Sequence, residues 1–229
     1  MSDLAMLTAR LGVSFADDGL LEEALTHRSY LNENRARGRE HNERLEFLGD
    51  AVLELVVTEF LFAKYPDRPE GDLTSYRAAL VNTISISDAA VKLGMNEYLL
   101  LSRGEAKDTG RARQIILANA FEALIGAIYL DQGYEPAQKF IAGQLFHKTD
   151  EVVAKGLWQD AKSRFQEIAQ EKETVTPSYD VLSQTGPDHD KRFVVGVYLG
   201  GERVASGEGR SKQEAEQVAA QKALAAKGW

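Results

Sequence analysis

Two hydrophobic periodicities divide this 229-residue chain and decide its fold class. Up to about residue 150 the apolar positions recur at three and four residues, the spacing of a helix, and no run alternates as a half-buried strand does. Helices are expected over residues 3–11, 19–26, 42–65, 70–93, 115–132 and 135–153. Pro66 and Pro69 punctuate one junction, and Gly94 ends a helix. The pattern then changes in kind. Residues 160–172 read as an amphipathic helix, and residues 178–183, 192–199 and 203–207 have strand character. Gly200-Gly201 is a two-residue hairpin signal between the last two strands. Ser211-Lys212-Gln213-Glu214 opens a final helix as a capping box, Ser211 capping the Glu214 amide and Glu214 reaching back. The expected fold is an all-α domain over residues 1–153, a short linker containing Gly156, and a small α+β domain over residues 159–229 in the order α-β-β-β-α.

Composition narrows the chemistry. Cysteine is absent, which excludes disulfides, thiolate metal sites and a cysteine nucleophile. Any metal must be held by oxygen or imidazole. The first residues carry Asp3 and lack a signal peptide's basic and apolar regions, and the most apolar later stretch, residues 115–130, is interrupted by Asn119 and Glu122. A cytoplasmic protein without a membrane span is expected. The net charge of −8 counts against a nucleic-acid partner, unless part of the acid serves as a cation site and basic contacts are local.

Such a site is suggested by residues 43–50. Glu43, Glu46 and Asp50 stand three and four apart, hence on one stripe of a helix that continues through Leu53, Val57 and Phe60. Residues 51–62 are apolar nearly all round, so this helix should be buried. Acids brought together near an interior repel one another and need a cation. One reading is a divalent ion, with hard oxygen ligands favouring magnesium or manganese over zinc; the other is a solvated acidic face making ordinary salt bridges. A second apolar helix repeats the anomaly, because Asn119 and Glu122 lie three apart among Ile116, Leu117, Phe121, Leu124, Ile125 and Ile128. If the two helices pack together, these five residues form an oxygen cage suited to metal-assisted phosphodiester hydrolysis.

The run His41-Asn42-Glu43-Arg44-Leu45-Glu46-Phe47-Leu48-Gly49-Asp50 resembles the signature of bacterial ribonuclease III. Leu25-Thr26-His27-Arg28-Ser29-Tyr30, Glu70-Gly71-Asp72-Leu73, residues 77–82, Arg103-Gly104-Glu105 and residues 121–131 are similar to family segments in the same order. The resemblance implies that Glu43, Glu46, Asp50 and Glu122 bind metal, with Asp50 and Glu122 catalytic, and that Glu70 acts there through water. It implies a homodimer in which Phe47 makes a contact; by residue type alone Phe47 could equally be a core side chain. Where the family carries aspartate, this chain has Asn119, whose amide oxygen can ligate a hard cation but brings no charge.

The carboxy-terminal module resembles a double-stranded-RNA-binding domain. That resemblance maps minor-groove contacts to Ser163, Gln166 and Glu167, a second groove contact to His189, and phosphate contacts to Ser211 and Lys212 with Arg210 beside them. As bare residues, His189 and Lys212 also read as solvated surface groups. The implied activity is magnesium-dependent endonucleolytic cleavage of double-stranded RNA, with manganese able to substitute. Implied products carry 5′-phosphates and short 3′ overhangs, from precursors of ribosomal, messenger and transfer RNA. Two rivals stand beside it. One is a double-stranded-RNA-binding protein that does not cut, its site disabled at Asn119; the other is a helical phosphohydrolase of small nucleotides, which leaves the second domain without purpose.

Overall fold

The computed structural model describes residues 3–34, 40–154, 160–187 and 191–229. The first part of the chain is helical: α1 Asp3–Leu11, α2 Asp18–Ala24, α3 Arg28–Glu33, α4 Glu43–Lys64, α5 Glu70–Val81, α6 Thr83–Lys92, α7 Arg111–Gln132, α8 Tyr134–Leu145 and α9 Thr149–Ala154. The second comprises α10 Ala161–Glu173, β1 Ser178–Thr185, β2 Arg192–Leu199, β3 Glu202–Gly209 and α11 Lys212–Lys227. The two form separate compact units, Met1–Trp158 and Gln159–Trp229.

A helix apolar on every side is stable only when surrounded, and α7 is of that kind. Its residues Ile116, Leu117, Phe121, Leu124, Ile125 and Ile128 are all buried, and α4, α6, α8 and α2 pack around it. By length and composition α7 could cross a membrane, but here most of it is buried inside the helical unit. Against it lies α4, through Leu45, Val52, Leu53, Val56 and Val57. The backbones nearly touch at the crossing. A β-carbon on Gly49 would overlap the Glu122 carbonyl oxygen, and one on Gly126 would overlap that of Leu45, so only glycine fits at either position.

Three expectations need correction. The helix expected over residues 70–93 is two, because Asn82 is extended (φ −67°, ψ 158°) and its side chain accepts the Ser85 N–H at 2.9 Å, capping α6. The helix expected over residues 135–153 is interrupted by a 3₁₀ turn, Phe146–Lys148, and the short α3 was not anticipated. Finally, α4 is not buried all round: Phe47, Leu55 and Phe62 are 82%, 51% and 73% exposed. Residues 51–62 hold more apolar side chains than one domain interior can cover.

In the second unit the three strands form an antiparallel sheet in the order β1-β2-β3. Leu199 pairs with Glu202 across Gly200 (φ 57°) and Gly201 (φ 91°), the two-residue hairpin expected. The helices α10 and α11 bury Phe165, Ala169, Ala219, Ala220 and Ala223 with Val197 and Leu199 of the sheet. The alanine face of α11 admits β3 directly. A side chain at Gly207 or Gly209 would strike the α11 backbone.

Candidate active site and RNA-binding face

The amino-terminal end of α4 is anchored before its acids begin. Asn42, 2% exposed, donates its side-chain amide to the Ala24 carbonyl at 3.2 Å and its backbone N–H to the Thr26 carbonyl at 2.9 Å. Glu43 lies at the rim, its side chain about half exposed, with Arg28 at 3.4 Å and His41 Nδ1 at 3.8 Å. One turn on, Glu46 is half-buried. Burial raises its carboxyl above the usual range, the charges of Glu43 and Asp50 add to this, and a hydrogen bond from the Asn119 side chain opposes it.

Across the glycine crossing, α7 presents Glu122 to the same acids. Its carboxyl is pushed up to about 8, first by burial and then by the charges of Asp50, Glu46 and Glu54. The structure thus brings Glu46, Asp50, Asn119 and Glu122 into one neighbourhood, with Glu43 at its edge. Glu70 opens α5, where its carboxylate accepts the Thr74 hydroxyl at 3.0 Å; it is not among the charges acting on Glu46 or Glu122. Phe47 points to solvent and is no core residue of this chain.

The donors suit a hard divalent cation, being carboxylates and one amide oxygen without thiol. The raised Glu122 carboxyl marks a place where negative charge lacks compensation, which a cation would supply. Among the described residues no three His, Asp or Glu side chains already converge as a finished ligand set. The fit lies in donor chemistry and electrostatics.

On α10, Ser163, Gln166 and Glu167 are exposed, opposite the buried Ala161, Phe165 and Ala169. Asp160 caps this helix by accepting the N–H groups of Lys162 and Ser163 at 3.0 and 3.2 Å, and it also accepts the Gln217 amide of α11 at 2.6 Å. Arg210, Ser211 and Lys212 are exposed at the start of α11. Ser211 accepts the Glu214 N–H at 3.1 Å as expected, while Glu214 reaches back to the N–H of Arg210 at 2.7 Å. His189 lies outside the described residues.

Residues 17–149 match the Ribonuclease-III-like family. A protein of Desulforamulus reducens named Ribonuclease 3 is 48% identical over 218 residues, covering 95% of this chain and 89% of that one. The chain belongs to the ribonuclease III family. Ribonuclease 3 of Bacillus velezensis is likewise 48% identical, over 94% of this chain and 86% of its own. Residues 161–227 match the double-stranded RNA binding motif. Among solved structures, a nuclease domain of ribonuclease III from Campylobacter jejuni is 42% identical with a TM-score of 0.55, covering 62% of this chain and 98% of that domain; it was described for flexibility in a region involved in dimer formation.

Ribonuclease III membership makes the chain an endoribonuclease by family, one that depends on a divalent metal, and the matched motif is one that binds double-stranded RNA. Sequence reasoning did not single out Glu54 or its partner Arg77, whose Nε lies 2.7 Å from the Glu54 carboxylate. The signal for Glu54 was present, since it follows Asp50 by four residues on the acid stripe. Arg77 begins the family-like segment 77–82, but its contact with Glu54 was not legible there, because its reach depends on how α5 packs on α4.

Proposed function

We propose that this ribonuclease III-family chain hydrolyses phosphodiesters of double-stranded RNA with magnesium, as a homodimer in the cytoplasm. The products carry 5′-phosphates and short 3′ overhangs, and the substrates are structured precursors of ribosomal, messenger and transfer RNA. The observation that carries this reading is the meeting of Glu46, Asp50 and Glu122 at the α4–α7 crossing, in a chain that also bears an RNA-binding motif.

Glu46, Asp50, Glu122 and the amide oxygen of Asn119, with Glu43 at the rim, would hold magnesium or manganese. When bound, the ion supplies an acidified water and charge stabilisation at the leaving oxygen. Glu122, whose carboxyl is pushed up to about 8 by burial and then by the charges of Asp50, Glu46 and Glu54, would have to be deprotonated to serve as a ligand. Glu70 belongs to the site through water in this reading. Ser163, Gln166 and Glu167 address one minor groove and His189 the next, while Arg210, Ser211 and Lys212 grip phosphates.

Dimerisation is supported by the exposed apolar residues on α4. Phe47, Ala51, Leu55 and Phe62 recur at helical spacing on one side, and covering them removes large apolar groups from water. The rival of a binder that does not cut is favoured by one observation, that the uncharged Asn119 is engaged with Glu46. Incubating the whole protein and Glu122→Ala with long duplex RNA, with and without magnesium, separates the two readings. Magnesium-dependent cleavage by the unsubstituted protein, lost in the variant while binding survives, is expected. Binding without cleavage under any divalent ion establishes the rival.

A further inference from the structure

Arg77 has no part in the reading above, yet two contacts tie it to the helix that carries the acids. Its Nε stands 2.7 Å from Glu54 Oε2, and a second guanidinium nitrogen donates to Thr58 Oγ1 at 2.8 Å. Glu54 and Thr58 are one helical turn apart, so the fixed fork of the arginine spans a turn of α4 and holds its two partners in register. One turn in the other direction lies Asp50, then Glu46. Glu54 therefore continues the acid stripe, and it is close enough for its charge to bear on Glu122.

A carboxylate so placed can turn toward the other acids or be held aside from them. Both side chains of the pair are about a third exposed, and an ion pair of that kind contributes little to stability. Its consequence is directional: the guanidinium fixes where the Glu54 carboxylate sits. Two bonds from one rigid group also resist rotation better than a single lysine contact would.

We infer that Arg77 is a positioning residue, holding the Glu54 carboxylate out of the acid cluster and so deciding which carboxylates serve the cation. The inference rests on the proposed metal-dependent reading of Glu46, Asp50 and Glu122. Without Arg77, Glu54 joins the cluster. The added negative charge tightens cation binding, while the extra carboxylate draws the ion away from its working position and slows turnover. An arginine that merely supported the packing of α5 on α4 would, when removed, weaken cation binding and turnover together.

The opposite signs make the test. Manganese alone is titrated into the full-length protein and read from the free-ion electron paramagnetic resonance signal, and turnover on a long RNA duplex is measured at saturating manganese. Arg77→Met is expected to bind manganese roughly tenfold more tightly and to turn over roughly tenfold more slowly, the scale on which groups behind metal ligands act. Arg77→Lys, which keeps a cation beside Glu54 but loses the two-bond fork, falls between the unsubstituted protein and Arg77→Met in both. Adding Glu54→Gln to Arg77→Met moves both values back. Arg77→Gln serves the same comparison should Arg77→Met not fold. Unchanged or weaker manganese binding in Arg77→Met, or in Arg77→Gln where that variant replaces it, overturns the inference, as does a double variant that stays slow. Absence of manganese binding by the unsubstituted protein overturns the metal-site reading itself, and this inference with it.

Discussion

At residue 119 an amide side chain faces acids that repel one another, and its hydrogen bond eases the charge on Glu46. Aspartate there would add a further negative charge, unfavourable alone and favourable once a cation is present. Asn119→Asp should therefore melt at lower temperature in chelator and gain more from magnesium than the unsubstituted protein does. Its initial cleavage rate at limiting magnesium should rise at least about tenfold, since even an outer partner of a metal ligand is worth ~10 to 100-fold. Excess magnesium narrows the gap. If the variant is no faster at any magnesium or manganese concentration, Asn119 is not a ligand. Glu122 gives a second prediction. Its carboxyl is raised from 4.5 to about 8, so the folded protein binds the proton more tightly than the unfolded chain does. In chelator, stability is greatest below about pH 4.5 as far as this group is concerned, and declines as pH rises to about 8. Melting temperatures of the whole chain and of Glu122→Gln across that window should converge toward low pH and part toward high pH. Parallel curves would show that Glu122 titrates normally. The acids themselves were legible, because Glu43, Glu46 and Asp50 repeat at helical spacing and Glu122 interrupts an apolar run. Their being in one place was not, since spacing along a helix does not say which helix packs against it.

What joins the two helices is a pair of glycines, and here the element decides the site. Gly49 and Gly126 let α4 and α7 meet backbone to backbone, so Glu46 and Asp50 lie beside Glu122 and not a side chain's width away. Gly126→Ala forces the helices apart because its β-carbon meets the main chain at Leu45, which cannot rotate out of the way. Overpacking of this kind costs about 1–3 kcal/mol, so the variant should fold with a lowered denaturation midpoint. Its manganese affinity should fall more than the stability loss accounts for, because the acids on opposite helices separate. Normal affinity with lowered stability would show that the crossing does not set the site. Long helices such as α4 and α7 were evident from the recurrence of their apolar residues, and the β2–β3 hairpin from its glycines. Breaks within periodic runs were not. Residues 70–93 keep their helical pattern straight through Asn82, and only the cap from Asn82 to Ser85 reveals that the chain turns. The short α3 escaped for another reason, that six residues hold too little of any period to be read.

For the whole molecule, a net charge of −8 must be reconciled with a polyanionic partner. Long-range attraction cannot do it, since the overall field repels RNA and is screened beyond roughly a Debye length of 8 Å at physiological salt. Recognition then rests on a few local cations and on polar groups that fit the duplex. In the proposed reading the exposed Ser163, Gln166 and Glu167 would supply the polar set on α10, and the exposed Arg210 and Lys212 the cations at the start of α11, where the helix dipole also favours an anion. This predicts a shallow salt dependence for so large a ligand. Each phosphate contact contributes about one unit to the slope of log affinity against log salt, and removing one such cation removes about that much. Affinity of the full-length protein for a long RNA duplex, measured in calcium or chelator at several salt concentrations, gives the slope directly. Lys212→Ala should weaken binding to duplexes of different sequence alike and flatten the slope by about one unit, because phosphate contacts carry no sequence information. A variant with the same slope would mean that Lys212 is a solvated helix-start lysine and that the phosphate grip lies elsewhere on the chain.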